Sequence, residues 1–264
     1  MSSVPTILDR LADHARQRTE AAKRSVSLQD MKMMAYDMPK GDCEFERALR
    51  KEGLSFILEC KKASPSKGLI APDFPYLDIA RKYEAAGADC ISVLTEPRWF
   101  LGRDEYLREI AKTVHIPCLR KDFTVDEYMI YEAKVLGASA VLLIVSILSE
   151  EEIKEYLGIC REVGLSAIVE THDEEEVETA VRAGADIIGV NNRDLKDFSV
   201  NGNNSRRLGS LIPEGCLFVS ESGIMTPGDV AAAAAAGADA VLIGEAVMRA
   251  DDIGAEFDRL RSLL

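Results

Sequence analysis

Ala183-Gly184-Ala185-Asp186-Ile187-Ile188-Gly189-Val190-Asn191-Asn192-Arg193 decides the fold. The first four residues close a charged helical stretch, the next four form an apolar run of strand length, and the last three are polar. Glycine stops a helix because it accepts the left-handed backbone other residues resist, and a short apolar run bounded by turn signals reads as a strand buried on both faces. The phrase recurs at Ala86-Gly87-Ala88-Asp89, Leu136-Gly137-Ala138-Ser139 and Ala236-Gly237-Ala238-Asp239, so its glycines stand 50, 47 and 53 positions apart. A strand, a loop and a helix take about 25 residues, so each interval holds two βα units. Gly164 marks one of the intermediate helix ends.

Working outward from these marks, eight apolar runs are predicted as strands: Phe56–Cys60, Cys90–Leu94, Pro117–Arg120, Ala140–Ile144, Ala167–Val169, Ile187–Val190, Leu217–Val219 and Ala240–Ile243. Helical patterns such as Glu150–Val163 and Asp173–Ala183 lie between them, charged on one side as helices ringing a barrel must be. The alanines from Ala231 to Ala236 are strong helix formers and read as packing surface. The expected fold is α/β, a single (β/α)8 TIM barrel over residues 55–264 with an N-terminal helical extension over 1–50, in one domain of 264 residues. That extension carries a helix-like stretch from Ile7 to Lys23 and a polar link, Pro39-Lys40-Gly41-Asp42. It either covers the bottom of the barrel or lies over its top face and helps enclose a substrate.

Composition excludes several classes of partner. With 47% hydrophobic and 29% charged residues the chain has the makeup of a globular protein, and its net charge of −13 comes without a basic stripe interleaved with aromatics. Nucleic acid and anionic membranes are therefore not expected partners. Met1-Ser2-Ser3-Val4-Pro5-Thr6 has no basic segment leading an apolar core, and the longest largely apolar run, Ala140 to Leu148, is too short to span a bilayer. Cysteines stand at 43, 60, 90, 118, 160 and 216, the closest pair 17 positions apart, which leaves no Cys-x-x-Cys pair. Cys60, Cys90, Cys118 and Cys216 sit in or beside apolar runs as small hydrophobes, so a reducing cytoplasm is the expected location. A monomer is expected, with an oligomer left open.

In a barrel of this kind the active site lies at the C-terminal ends of the strands. Strand alternation puts Glu59 and Lys61 on one face of the first run, and Asn191 and Arg193 on one face of the sixth. The third run ends Arg120-Lys121-Asp122, the fifth ends at Glu170, and the seventh passes into Ser220-Glu221-Ser222-Gly223. Inward-facing charges need partners or cost several kcal/mol in desolvation, so converging lysines and glutamates imply shifted proton affinities and acid–base chemistry. Gly223 and Gly244, directly after the seventh and eighth runs, let backbone N–H groups approach an anion at short helix N-termini, the usual phosphate position. Ser64-Pro65-Ser66-Lys67-Gly68 adds hydroxyls and a cation, so the expected partner is a small phosphorylated molecule. His14, His115 and His172 lack metal-ligand spacing; His172 follows Glu170 closely but reads as a loop histidine. No metal cluster, dinucleotide fingerprint or nucleophile elbow is legible, and neither a metal nor a cofactor is expected.

With those residues in view, the chain resembles the indole-3-glycerol-phosphate synthase family of tryptophan biosynthesis. The resemblance rests on Glu59 through Gly68, Ser92-Val93-Leu94-Thr95-Glu96, Lys121-Asp122-Phe123, Val169-Glu170-Thr171-His172, Gly189 through Leu195, Ser220 through Ile224 and Leu242 through Arg249. It implies a cofactor-free carboxy-lyase that closes carboxyphenylamino-deoxyribulose phosphate into an indole ring, losing carbon dioxide and then water. By resemblance, Lys121 is the general acid at the ketone oxygen and Glu170 the carboxylate for proton removal and charge stabilisation. Glu59 and Lys61 match a second pair serving the substrate carboxylate and the dehydration, with the division of duties among the four left open. Asn191 and Glu221 resemble residues that orient hydroxyls and lysines, and Arg193 a helper near the carboxylate. Ser64, Ser222, Gly223, Gly244 and Glu245 match phosphate and substrate contacts, Glu245 through its backbone N–H alone. Arg98-Trp99-Phe100-Leu101-Gly102-Arg103 departs from the family's commoner Phe-Phe-x-Gly-Ser. Rival expectations are another phosphate-binding barrel, such as phosphoribosylanthranilate isomerase, a Schiff-base aldolase using Lys121 or Lys61, or an inactive scaffold.

Overall fold

Each recurring glycine ends a helix in the left-handed conformation and hands the chain to a strand; at Gly137, φ is 92° and the glycine N–H returns to the carbonyls of Ala133 and Lys134. The aspartate that closes the phrase has its own task. Asp89 accepts the Phe56 amide at 2.8 Å and Asp239 accepts the Phe218 amide at 2.7 Å, so each caps a backbone donor of the neighbouring strand. The phrase is therefore a helix stop joined to a strand start.

The computed structural model describes residues 6–194 and 199–264, so Met1 to Pro5 of the N-terminal reading and Leu195 of the fifth motif lie outside the described residues. Eight parallel strands close into a barrel: β1 (Ser55–Cys60), β2 (Cys90–Leu94), β3 (Cys118–Lys121), β4 (Ala140–Ile144), β5 (Ser166–Thr171), β6 (Ile187–Asn191), β7 (Leu217–Glu221) and β8 (Ala240–Ile243), with β8 paired to β1. The expected runs match β2, β4 and β8 in both bounds. In β3, β5, β6 and β7 the ladder continues past the apolar run through Lys121, Glu170, Asn191 and Glu221, because pairing depends on backbone groups and not on hydrophobicity.

Strand alternation divides the apolar residues in two. Ile57, Cys90, Leu119, Leu142, Ile168, Ile187, Val219 and Leu242 fill the barrel interior, while Leu58, Ile91, Val93, Val141, Leu143, Val169, Ile188 and Val241 face the helices. The charged residues that follow in register on the inner face have no route but into the mouth.

The N-terminal extension splits its work. In α1 (Ile7–Ser25), Leu8, Leu11, Ala12 and Ala15 pack in one cluster with Phe123, Val125 and Ile144, at the C-terminal ends of the strands. α2 (Leu28–Asp37) lies along α6 (Glu127–Leu136), and α3 (Glu44–Leu49) buries Phe45 and Leu49 against the inner residues at the N-terminal ends, where the Glu46 amide reaches Ser166 Oγ at 3.1 Å. The same extension thus covers both faces. The other helices of the described residues are α4 (Tyr76–Ala86), α5 (Asp104–Thr113), α7 (Glu150–Val163), α8 (Glu174–Ala183), α9 (Asn203–Gly209), α10 (Pro227–Ala235), α11 (Glu245–Met248) and α12 (Ile253–Leu260). Among the described residues no helix is long and apolar enough to cross a membrane, and all six cysteines are free thiols.

Candidate active site

The odd-numbered strands β1, β3, β5 and β7 contribute Glu59, Lys121, Glu170 and Glu221, in keeping with the alternate-strand layering of barrel interiors. Lys121 Nζ donates to Glu170 Oε2 at 2.9 Å and to Glu221 Oε2 at 2.7 Å. Asn191 Nδ2 donates to the other oxygen of Glu170 at 3.2 Å, and the Arg193 amide to Asn191 Oδ1 at 3.0 Å. Glu59 of β1 and Lys61, one residue past its end, are ion-paired.

Burial opposes the charge on Lys121, but Glu170, Glu221 and Glu59 outweigh it and hold the ammonium's pKa well above the ordinary lysine value. Burial likewise works against ionised Glu170, yet Lys121 and then His172 keep its carboxyl below the usual carboxylate range. Glu221 goes the other way. Burial pushes it up to about 7; Lys121 opposes the rise and the charge of Glu170 adds to it. One lysine thus sits between two carboxylates of unequal basicity, an arrangement that gives up and takes back protons at defined atoms.

These groups border a cavity of about 570 Å³ at the barrel mouth. Every sequence-predicted residue lines it: Glu59, Lys61, Ser64, Lys121, Glu170, Asn191, Arg193, Glu221, Ser222, Gly223, Gly244 and Glu245. Its volume falls within the range of small-molecule sites. Phe100 and Phe123, 6.1 Å apart between ring centroids, form part of its apolar wall with Leu142 and Ile144. Ser222 and Gly223 hold consecutive positive φ angles of 65° and 80°, turning backbone into the mouth after β7.

Residues 8–260 match the model of the indole-3-glycerol phosphate synthase family. The chain belongs to that family. It is similar to the indole-3-glycerol phosphate synthase of Ruminiclostridium cellulolyticum, with 54% identity covering 97% of this chain and 98% of the relative. The synthase of Endomicrobium trichonymphae is 50% identical over 97% and 99% of the two chains. Among solved structures, a 3-hexulose-6-phosphate synthase aligns with a TM-score of 0.65 at 16% identity over 80% of this chain and all of the other. A thiamine phosphate pyrophosphorylase from Pyrococcus furiosus aligns at 0.60 and 18% over 83% and 96%. These two likenesses speak for the barrel alone.

In this member of the indole-3-glycerol phosphate synthase family, α1 is tied to the loops that carry the site. Arg18 grips the buried Asp122 through two hydrogen bonds of 3.2 and 2.6 Å, and Asp122 also accepts from Thr95 Oγ1 at 2.6 Å, one residue beyond Lys121. Glu96 is buried and accepts the amides of Arg98, Trp99 and Phe100 at 3.0, 2.7 and 3.0 Å, while His14 Nδ1 lies 3.1 Å from the same carboxylate. The loop that carries Trp99 and Phe100 is thereby held in place, with Phe100 facing the cavity and Trp99 against His14.

Two expectations need correction. His172 is no plain loop histidine: its Nε2 stands 3.3 Å from Glu170 Oε1 and its Nδ1 2.9 Å from Glu176 Oε2. Gly223 does not open a helix, since α10 begins at Pro227 behind the Thr226 cap; Gly244 does, as the cap of the four-residue α11. The Glu245 carboxylate turns to Lys67 at 3.4 Å and to Arg249 at 3.2 Å, which removes it from an anion at its own N–H. Gly244 also makes room, because a Cβ there would lie 2.5 Å from Glu59 Oε1. Gly189 does the same for Glu221 and was missed; its signal was a glycine inside an otherwise branched apolar strand. Among the described residues no group of three or more His, Cys, Asp or Glu is placed to hold a metal ion.

Proposed function

We propose that the chain converts 1-(2-carboxyphenylamino)-1-deoxyribulose 5-phosphate into indole-3-glycerol phosphate, carbon dioxide and water, acting in the cytosol on a diffusible substrate. The observation that carries this reading is the charged Lys121 held between Glu170 and Glu221 inside a cavity with an aromatic wall.

Lys121 gives a proton to the ketone oxygen while the ring carbon bearing the carboxylate attacks the ketone carbon. That proton leaves a hydroxyl in place of an alkoxide, so the new carbon–carbon bond forms without a buried anion. Once Lys121 is neutral, the charge of Glu170 faces the positive charge that the ring nitrogen acquires on attack, and Lys121 takes a proton back from solvent to complete the turnover. Breaking the ring–carboxylate bond releases carbon dioxide and returns its electron pair to the ring, restoring aromaticity. The hydroxyl then leaves as water, taking a proton while the new ring gives one up, an exchange assigned to the adjoining Glu59 and Lys61. Asn191 holds Glu170, Glu221 holds Lys121, and Arg193 serves the substrate carboxylate from beside Asn191. Ser64, Ser222 and the backbone N–H groups at Gly223, Gly244 and Glu245 take the phosphate.

The test adds the carboxyphenylamino-deoxyribulose phosphate to the purified chain. Indole fluorescence should appear together with one carbon dioxide per turnover, and borohydride should trap no lysine adduct. A trapped adduct, or carbon dioxide without indole, overturns the assignment.

A further inference from the structure

We propose that His172 is a positioning residue for Glu170: its ring joins Glu170 Oε1 to Glu176 on α8, so that a contact from the helix shell fixes the carboxylate's direction. The inference rests on Glu170 taking part in the reaction as proposed above.

The geometry is two-sided. Nδ1 is hydrogen-bonded to Glu176 Oε2 at 2.9 Å, while the buried Nε2 stands 3.3 Å from Glu170 Oε1, an ion-pair contact without hydrogen-bond geometry. With a carboxylate beside each nitrogen, the ring is favoured as the doubly protonated imidazolium, which presents an N–H to both sides. Glu176 is itself fixed. Its carboxylate accepts the His172 amide at 2.8 Å and the Ser146 hydroxyl, and its own amide is bonded to the Asp173 cap at 3.0 Å. Ser146 Oγ, 3.3 Å from Nδ1, comes from the turn after β4, so three elements converge on the ring.

The charges around the ring agree with this. Burial favours the neutral imidazole, but Glu170 and Glu176 outweigh it and push the ring up to about 10. On the far side of Glu170, Lys121 holds the carboxylate's other oxygen and Glu221 shares that lysine, while Asp173, next in the chain, caps α8. Lys61 pairs with Glu59 and Lys121 with both Glu170 and Glu221, and His172 adds a positive charge beside Glu170. When Lys121 surrenders its proton, His172 is the cation that still holds Glu170. Asn191, which donates to the same oxygen, carries no charge.

The experiment has a spectroscopic arm and a kinetic arm. The chain contains three histidines, so ¹⁵N resonances of the His172 ring are assignable by comparison with His172→Gln. The wild-type ring should remain doubly protonated at pH 8, and in Glu176→Gln its titration should fall toward the ordinary imidazole value, about 6.5. A neutral His172 ring at pH 8 in the wild type overturns the proposal. In turnover, His172→Gln should lower kcat about tenfold with KM within about twofold, as expected when a reacting group is misdirected. His172→Lys should recover most of the loss. Wild-type kcat in His172→Gln, or equal impairment in the Gln and Lys variants, also overturns it. Should His172→Gln melt before assay temperature, Glu176→Gln takes its place, since it keeps the ring and loses only the outer anchor; an unchanged kcat there counts against the proposal. Failure of the wild type to make indole product defeats the proposed function instead, and the spectroscopic arm still decides the role of His172.

Discussion

Glu221 Oε1 lies where a side chain on Gly189 would begin: a Cβ built at 189 falls inside van der Waals contact of that oxygen and 2.9 Å from Ile168 Cγ2. The missing side chain of β6 is thus the space that lets a β7 carboxylate lean toward Lys121. Gly189→Ala should displace Glu221, cost about 1–3 kcal/mol in overpacking and lower kcat at least about tenfold. Combining it with Glu221→Gln should reduce kcat no further than Glu221→Gln alone, a non-additivity that steady-state kinetics on the three variants measures directly.

Lys121→Ala should reduce turnover by about 10³-fold or more while the far-ultraviolet spectrum stays that of a folded barrel, because it removes the acid and little core volume. The variant leaves Glu170 and Glu221 facing each other without their shared cation. Its melting temperature should therefore trail the wild type at pH 8 and approach it near pH 5, where a proton relieves the repulsion. Near-normal turnover would defeat the role given to Lys121.

Glu221 carries a signed pH dependence. Its folded pKa, about 7, is raised above the unfolded value by burial, so the stability it contributes is complete below the unfolded carboxyl pKa and is lost as pH rises through 7. Glu221→Gln should lose this dependence. Relative to wild type the variant should gain stability between about pH 4.5 and 8, read as the difference in melting temperature at the two pH values. A gap that stays constant, or widens in the wild type's favour, contradicts the assignment.

Arg18→Met should expose how far α1 belongs to the site. Asp122 is buried and Arg18 is its bidentate partner, so breaking the pair strands a buried carboxylate at a cost of about 3 kcal/mol. Denaturant unfolding should show that loss, and Asp122→Asn in the same chain should restore part of it. Activity should fall in Arg18→Met, because Asp122 follows Lys121 and anchors the end of β3. Full additivity of the two substitutions would mean that helix and strand are independent.

Much of the site was legible because its signals are local. Glu59 and Lys61 share a face by the two-residue period of a strand, and the glycines at 87, 137, 184 and 237 mark helix ends by a backbone conformation other residues resist. Strand ends in β3, β5, β6 and β7 were drawn short because the hydrophobic signal stops where the functional residues begin, although the backbone ladder does not. His172 is not legible as a site residue in the sequence because its second carboxylate, Glu176, is recognisable only once α8 lies beside the end of β5. The N-terminal extension reads equally well as a cover for either face, and what settles it is that α1 and α3 reach opposite ends of the barrel.

By itself the sequence determined the alternation of strands and helices, the inward parity of each polar residue and the chemical types available at the mouth, since these follow from turn residues and periods of a few positions. The tertiary structure alone decided which carboxylates meet which cation. Lys121 touches Glu170 from 49 positions away and Glu221 from 100, and that pairing depends on the closure and stagger of eight strands, a property of the assembled sheet that no segment of the chain contains.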